Sequence, residues 1–428
     1  MSATDRLIDF ASAAHDLPPL VRAAAERLLA DTLLVGAAGS WHSAQCGVDA
    51  VAASWGKGAE ARPIGPGHRL PAPSAAFLNG FRIHCLEWDA VHEGAVVHAL
   101  SVVTAALGAV IDRAGGCAPE AALAALAVGV DVASGLGLAA SGGMRFFRPA
   151  TAGIIGAALA CARIVGAPPR SALGFAYSQA AGTMQAHVEG SIALPLQIAH
   201  AARAAVTAVD LASAGLESPR EVLEGTFGYF RLFEDGDLVR YTDHIGEHWL
   251  IEQVSVKPYP SGRASHGVLG ALQQRVGDGR EIHRVEAHVP PLVARLVARP
   301  MKPDMTASYA RLCLPFLAAL MLREGRIDPR SFTPEAFADP GLTDRASRVR
   351  VHLDTNTDLN ALAPQHVILS FEDGGREELS IAQILGSPGA PLEPTQLQSR
   401  AALAHELAGD VPDPRLFENP LAYFTEPR

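Results

Sequence analysis

Over most of the first 245 positions, apolar residues recur at three- and four-residue spacing, the periodicity of helices that bury at least one face. "PPLVRAAAERLLADTLLVGAAG" opens on prolines suited to a first turn and closes on a glycine suited to a last one. "PSAAFLNGFRIHCLEW", "ALSVVTAALGAVIDRAGG", "APEAALAALAVGVDVASGLGLAA", "ATAGIIGAALACARIVGAPP" and "PLQIAHAARAAVTAVDLASAG" repeat the pattern. Several have no clean polar face, and their alanines and glycines let backbones approach closely, so they predict helices buried on most sides. The most apolar of them still carries Glu120 and Asp131, which favours a buried helix over a membrane span.

After about residue 250 the period changes. "RVEAHVP" and "RVRVHLD" alternate apolar with polar or small residues, and "HVILSFEDGGREELSI" holds the DGG turn of a hairpin. Helical stretches intervene at "GRASHGVLGALQQRV" and "SYARLCLPFLAALMLREG", and "EPTQLQSRAALAHELAG" returns to helix near the end. The expected fold is mainly α. A large all-helical domain is assigned to residues 1–248, a smaller α+β lid domain to 249–391, and the C-terminal segment 392–428 is expected to pack back on the first domain.

Composition agrees with this division and narrows the function. The 428 residues exceed the usual size of a single core, and with 49% hydrophobic but only 6% aromatic residues that core is built of small aliphatic side chains. A net charge of −10 argues against nucleic acid as a partner, since phosphate binding needs a basic surface. Cys46, Cys85, Cys117, Cys161 and Cys313 are scattered, with no CxxC pair, which excludes zinc ribbons and redox dithiols and fits a reducing, cytoplasmic setting. "MSATDRLIDFASAAHD" has neither the basic nor the apolar region of a signal peptide, and no membrane partner is expected.

Two stretches concentrate the chemistry. In "HCLEWDAVHEGAVVHAL", residues 84–100, three histidines, two glutamates and an aspartate crowd into an alanine-rich background. On a continuous helix Glu87 and Asp89 would point about 200° apart, so they share a face only if the backbone unwinds between them. Three readings stand side by side: a metal site, a solvated helix end, and acid–base machinery. Without HExxH, HxH or DxD spacing no metal is expected. A carboxylate beside an imidazole tunes which of them holds the proton, and this leaves acid–base work as the favoured reading.

The second stretch is "VSVKPYPSGRASHGVLGAL". Pro258 and Pro260 keep Tyr259 extended, and Ser261 or Ser265 is placed to cap the helix that follows. Lys257, Arg263 and His266 gather near that helix start, where free N–H groups also attract anions, and together they suggest a carboxylate-binding corner. In "GGMRFFRPATAG", Arg145 and Arg148 flank two phenylalanines, and either guanidinium has the geometry to clamp a carboxylate.

Taken together, "NGFRIHCLEWDAVHEGAVVHALS", "RPATAGIIGAALACARIVG", "EGSIALPLQIAHAARAAVTAVDLASAG" and "VKPYPSGRASH" resemble ordered motifs of the MmgE/PrpD family, which includes 2-methylcitrate dehydratase, cis-aconitate decarboxylase and iminodisuccinate epimerase. The resemblance covers nearly the whole chain. It implies a helical domain with an α+β lid, an active site between them, a homodimer, and small carboxylate substrates handled without metal or organic cofactor. By the same resemblance Glu87, Asp89, His98, Lys257 and His266 are the catalytic residues; His92, Arg148, Tyr259, Ser261 and Arg263 are expected to bind substrate. The chain departs from the family pattern at several points. Glu87 replaces an aspartate, His98 is followed by Ala-Leu rather than Pro-Ser, Leu194 stands where the family has a lysine, and Gly262 replaces a cysteine. The expected reaction is proton abstraction next to a carboxylate with loss of water from a hydroxy di- or tricarboxylate. Decarboxylation, epimerisation and binding without catalysis are the alternatives.

Overall fold

The structure, a computed structural model, describes residues 2–427. Its helical part is assembled around α1 (Pro19–Ala38), α2 (Ala72–His84), α3 (Ala99–Ala114), α4 (Pro119–Ala139), α5 (Arg148–Val165) and α6 (Ala193–Ser213). Helix α5 is central, packing against α3, α4 and α6, while α2 packs against α3 and α6. The small residues of the sequence explain how so many helices share one core. A Cβ on Gly156 would sit 2.2 Å from the Gly129 carbonyl oxygen, so α4 and α5 cross at backbone contact. By length and composition α4 and α5 are apolar enough to cross a membrane, yet 89% and 83% of their most apolar stretches are buried inside the protein. Their hydrophobicity is spent on each other.

Two short strands, β1 (Val91–His92) and β2 (Val254–Ser255), pair antiparallel, with Val91 opposite Ser255 and His92 opposite Val254. This ladder joins the two chemically dense stretches across more than 160 residues of chain. Beyond it, a 3-10 turn at Arg263–Ser265 leads into α7 (His266–Gln273), followed by β3 (Ile282–Val289), α8 (Leu314–Glu324), β4 (Val349–Leu353), β5 (Gln365–Phe371) and β6 (Arg376–Ile381). The sheet order is β4-β3-β5-β6, with β3 parallel to β4 and antiparallel to β5. Alternate residues of β3 and β5, among them Val285, Ala287, Val367 and Leu369, are buried on the side covered by α7 and α8. This is the mainly α fold, with a small α+β portion, that the periodicity predicts.

The last long helix, α9 (Pro394–Ala408), lies along α1. From it Arg400 reaches Asp31 on α1, donates to the Lys257 carbonyl at 2.9 Å and the Trp88 carbonyl at 3.2 Å, and stacks over the Trp88 ring. One buried guanidinium thus binds three distant segments just behind the dense stretches.

Candidate active site

Helix α2 ends at His84, and the chain unwinds where the acidic residues begin. Glu87 takes a left-handed backbone (φ 54°), a conformation that glycine usually supplies, and donates its N–H to the His84 carbonyl at 2.9 Å. The unwinding turns the Glu87 and Asp89 side chains to one side. There the Lys257 ammonium, wholly buried, donates to the Glu87 carbonyl at 2.8 Å and lies 3.4 Å from Glu87 Oε2 and 3.7 Å from Asp89 Oδ1.

Asp89 is the hub. Its Oδ2 accepts from His84 Nδ1 at 2.8 Å and from the Ser101 hydroxyl on α3, and lies 3.0 Å from His98 Nδ1. His98 Nδ1 is also 3.1 Å from the Ala90 carbonyl. Both neighbours of that nitrogen are acceptors, so Nδ1 carries the proton and Nε2 keeps a lone pair.

The charge states follow from the same contacts. Burial opposes ionisation of Asp89, but His84, His98 and Lys257 outweigh it and hold the carboxyl well below its usual range. Glu87 is lowered for the same reason, chiefly by Lys257 against burial. Burial also works against a charged His84, yet Asp89 and Glu87 raise it above the ordinary histidine value. For His98 burial wins over Asp89, aided by Lys257, and the ring is lowered. The two imidazoles, pushed in opposite directions, stand side by side, ring centroids 4.9 Å apart.

One ligand-type atom each from His84, Asp89 and His98 lies within 4.8 Å of the others, a spacing a metal ion could use. The donor set does not suit one. The shared carboxylate oxygen already accepts two hydrogen bonds and lies 3.0 Å from His98 Nδ1, and an ammonium sits 3.7 Å from its partner oxygen.

His84, Glu87 and His98 open on a cavity of about 70 Å³ between the helical part and the α+β portion. Its remaining wall is largely apolar, with Met144, Phe147, Met184 and Leu194 on one side and Leu296, Val297, Leu312 and Leu362 on the other. Gly262 belongs to this wall, and a Cβ there would lie 2.7 Å from Leu312 Cδ2. A larger hollow of about 630 Å³ lies between α1, α9 and residues 386–392, but none of the acid–base cluster lines it. The smaller cavity, where the chemistry is, is the candidate site.

The other sequence-predicted residues fall into place around it, and several differ from expectation. Arg148 does not line the cavity. As the first residue of α5 it is wholly buried, and its donors go to both oxygens of Glu234, to Asn360 and to the carbonyls of Ala95 and Gly142. Its task is to hold the 92–97 turn that delivers His98. Arg263 does line the cavity, but its donors are spent on Glu93, on the carbonyls of Ile384 and Leu385, and on His266 Nδ1 at 3.4 Å. Neither arginine has an N–H left for a carboxylate.

His266 is buried outside the cavity, with Nε2 beside the Ser261 hydroxyl (3.1 Å) and carbonyl (3.2 Å). Burial, Arg263 and Lys257 hold it well below its ordinary value. Tyr259 donates to Gln273 at 2.6 Å, and His92 Nδ1 accepts the Ala95 N–H inside the turn. Neither serine caps α7: Ser261 meets His266, and Ser265 donates to the Gly262 carbonyl.

His187 is the residue that sequence reasoning missed. It sits in a five-residue helix, Gln185–Glu189, and lines the cavity. Its Nδ1 accepts from Arg299 Nη2 at 3.2 Å, which leaves Nε2–H as the donor. Burial, with help from Arg299, lowers it to about 4, so the ring is neutral. A single histidine in "GTMQAHVEGS" carries no spacing signal, and only its lone polarity beside Met184 marked it.

Residues 7–242 match the MmgE/PrpD N-terminal domain, and residues 259–405 match the MmgE/PrpD C-terminal domain. Cis-aconitate decarboxylase of Mus musculus is 27% identical over 314 residues, which is 67% of this chain and 62% of that protein. The cis-aconitate decarboxylase-like protein oryM of Aspergillus oryzae is 26% identical over 355 residues, 76% of this chain and 73% of that protein. Cis-aconitate decarboxylase of Homo sapiens is 27% identical over 309 residues, 67% and 62% of the two chains. The chain thus spans less than two thirds of the length of the two mammalian relatives.

Proposed function

The chain belongs to the MmgE/PrpD family, and from that premise we propose that it is a lyase acting at a carbon next to a carboxylate, with His98 as general base and His84 as general acid. The observation that carries this reading is the pair of imidazoles within 3.0 Å of one oxygen of Asp89, one raised and one lowered from the ordinary histidine value, both opening on the same cavity. In the elimination reading His98 Nε2 takes the proton from carbon. The electron pair left behind forms the double bond as the C–O bond breaks, and the hydroxyl leaves as water with a proton from His84 Nε2. Developing negative charge is met by the imidazolium and by the buried Lys257 behind it. All the proton-transfer groups come from the chain, so no cofactor is invoked.

Decarboxylation is the second reading, favoured by the names of the relatives and by the apolar walls, which disfavour a carboxylate more than the carbon dioxide it releases. Turnover of a carboxylic acid panel in deuterated water, followed by NMR, separates the two. An unsaturated product with loss of water supports elimination, and release of carbon dioxide with deuterium on carbon supports decarboxylation. A wild-type protein that neither converts nor exchanges any acid of the panel, or a His98→Gln variant with wild-type turnover, overturns the assignment.

A further inference from the structure

The walls of the cavity and the donors left open on it restrict its ligand further than the acid–base pair does. This step rests on the reading that the cavity receives a carboxylate. Met144, Phe147, Met184, Leu194, Leu296 and Leu312 form most of the wall and offer no hydrogen bond. Two of the nearby cations are already committed: Lys257 lies between Glu87 and Asp89, and Arg263 is spent on Glu93 and two backbone carbonyls. Two side-chain donors remain for a ligand. His84 Nε2 makes no hydrogen bond among the described residues and lies 3.5 Å from Glu87 Oε1. His187 presents Nε2–H because Arg299 holds its other nitrogen, and Arg299 Nη1 is itself buried without a partner, which adds uncompensated positive charge behind that ring. A third carboxylate would rest against methionine and leucine side chains, which offer nothing to replace its hydration.

We infer that the substrate carries at most two carboxylates, one of them held through His187, and an uncharged hydrocarbon arm seated on the methionine and leucine wall. Leu194 and Leu296 face that arm from the helical part and from the lid.

The test compares two unreactive acids that differ only in one arm. 2-Propylsuccinate carries a propyl group where tricarballylate carries a carboxymethyl group. Isothermal titration of the full-length wild-type protein should show 2-propylsuccinate binding at least about tenfold more tightly, the scale expected for burying the added apolar surface. Equal or tighter binding of tricarballylate, or binding of neither, overturns the inference. Leu194→Lys should narrow or reverse the preference, and an unchanged preference in the folded variant also overturns it. If circular dichroism shows that variant unfolded, Leu296→Gln on the opposite wall takes its place. Neither acid can react, so this result is independent of the lyase reading. Failure of that reading registers instead as missing conversion and deuterium exchange, with the arm preference intact.

Discussion

Residues 84–98 and residues 257–266 look alike, each setting histidine among charged groups on a buried backbone, but they end in opposite states. In the first, Asp89 gathers two imidazoles on one oxygen and leaves each a ring nitrogen for the cavity. In the second, Arg263, His266, Ser261 and Tyr259 close their hydrogen bonds on one another, on Glu93, on Gln273 and on lid carbonyls. Chemical capacity in this protein follows the open valence, not the local density of titratable groups. The first stretch keeps ring nitrogens open on the cavity. The second spends its donors within the protein, with Lys257 lent across to the first.

The sharpest way to break this comparison is to remove the open valence. His98→Gln should cost about 10²–10⁴-fold in kcat, the usual share of a general base, while thermal unfolding stays near wild type. An equal loss in His266→Gln, without loss of stability, would erase the distinction between the two stretches.

Next in size is Lys257→Met. It leaves Glu87 and Asp89 buried and facing each other, and urea unfolding should register a loss of about 3–5 kcal/mol. Arg148→Met should cost about 3 kcal/mol by the same logic, because Glu234 loses its partner. The double variant Arg148→Met/Glu234→Met should recover part of that loss, an outcome that a substrate clamp would not produce.

The smallest effect is on the pH dependence of stability. His42 is lowered to about 3, and His92 and His187 to about 4, all chiefly by burial. A lowered histidine binds fewer protons in the folded state than in the unfolded one. Its contribution is therefore present above the unfolded value of 6.5 and is lost as the pH falls towards the folded value. His84, raised above 6.5, acts in the opposite sense: its contribution is complete below 6.5 and is lost as the pH rises through its folded value. Urea titrations should show stability declining from about pH 6.5 towards 4, and His92→Phe should flatten that slope.

Much of the fold was legible because periodicity is local. Helix α5 announces itself in "ATAGIIGAALACARIVG", and the β5–β6 hairpin in "HVILSFEDGGREELSI", without reference to any other part of the chain. The break in α2 was legible as a condition: Glu87 and Asp89 can cooperate only off the helix, and the positive φ of Glu87 meets that condition. The partners of Arg148 were not legible, since Glu234 and Asn360 lie 86 and 212 residues away. His187 and Arg299, 112 residues apart, were invisible for the same reason.

By itself the sequence determined which segments are helix or strand, which stretches are rich in chemistry, and the family resemblance those stretches carry. Tertiary structure alone decided which nitrogens and oxygens remain free. A guanidinium or imidazole has a fixed number of hydrogen bonds to give, and whether a distant segment has already claimed them is settled only when the chain folds. The Lys257 ammonium, 170 residues from the carboxylates it neutralises, is the measure of that distance.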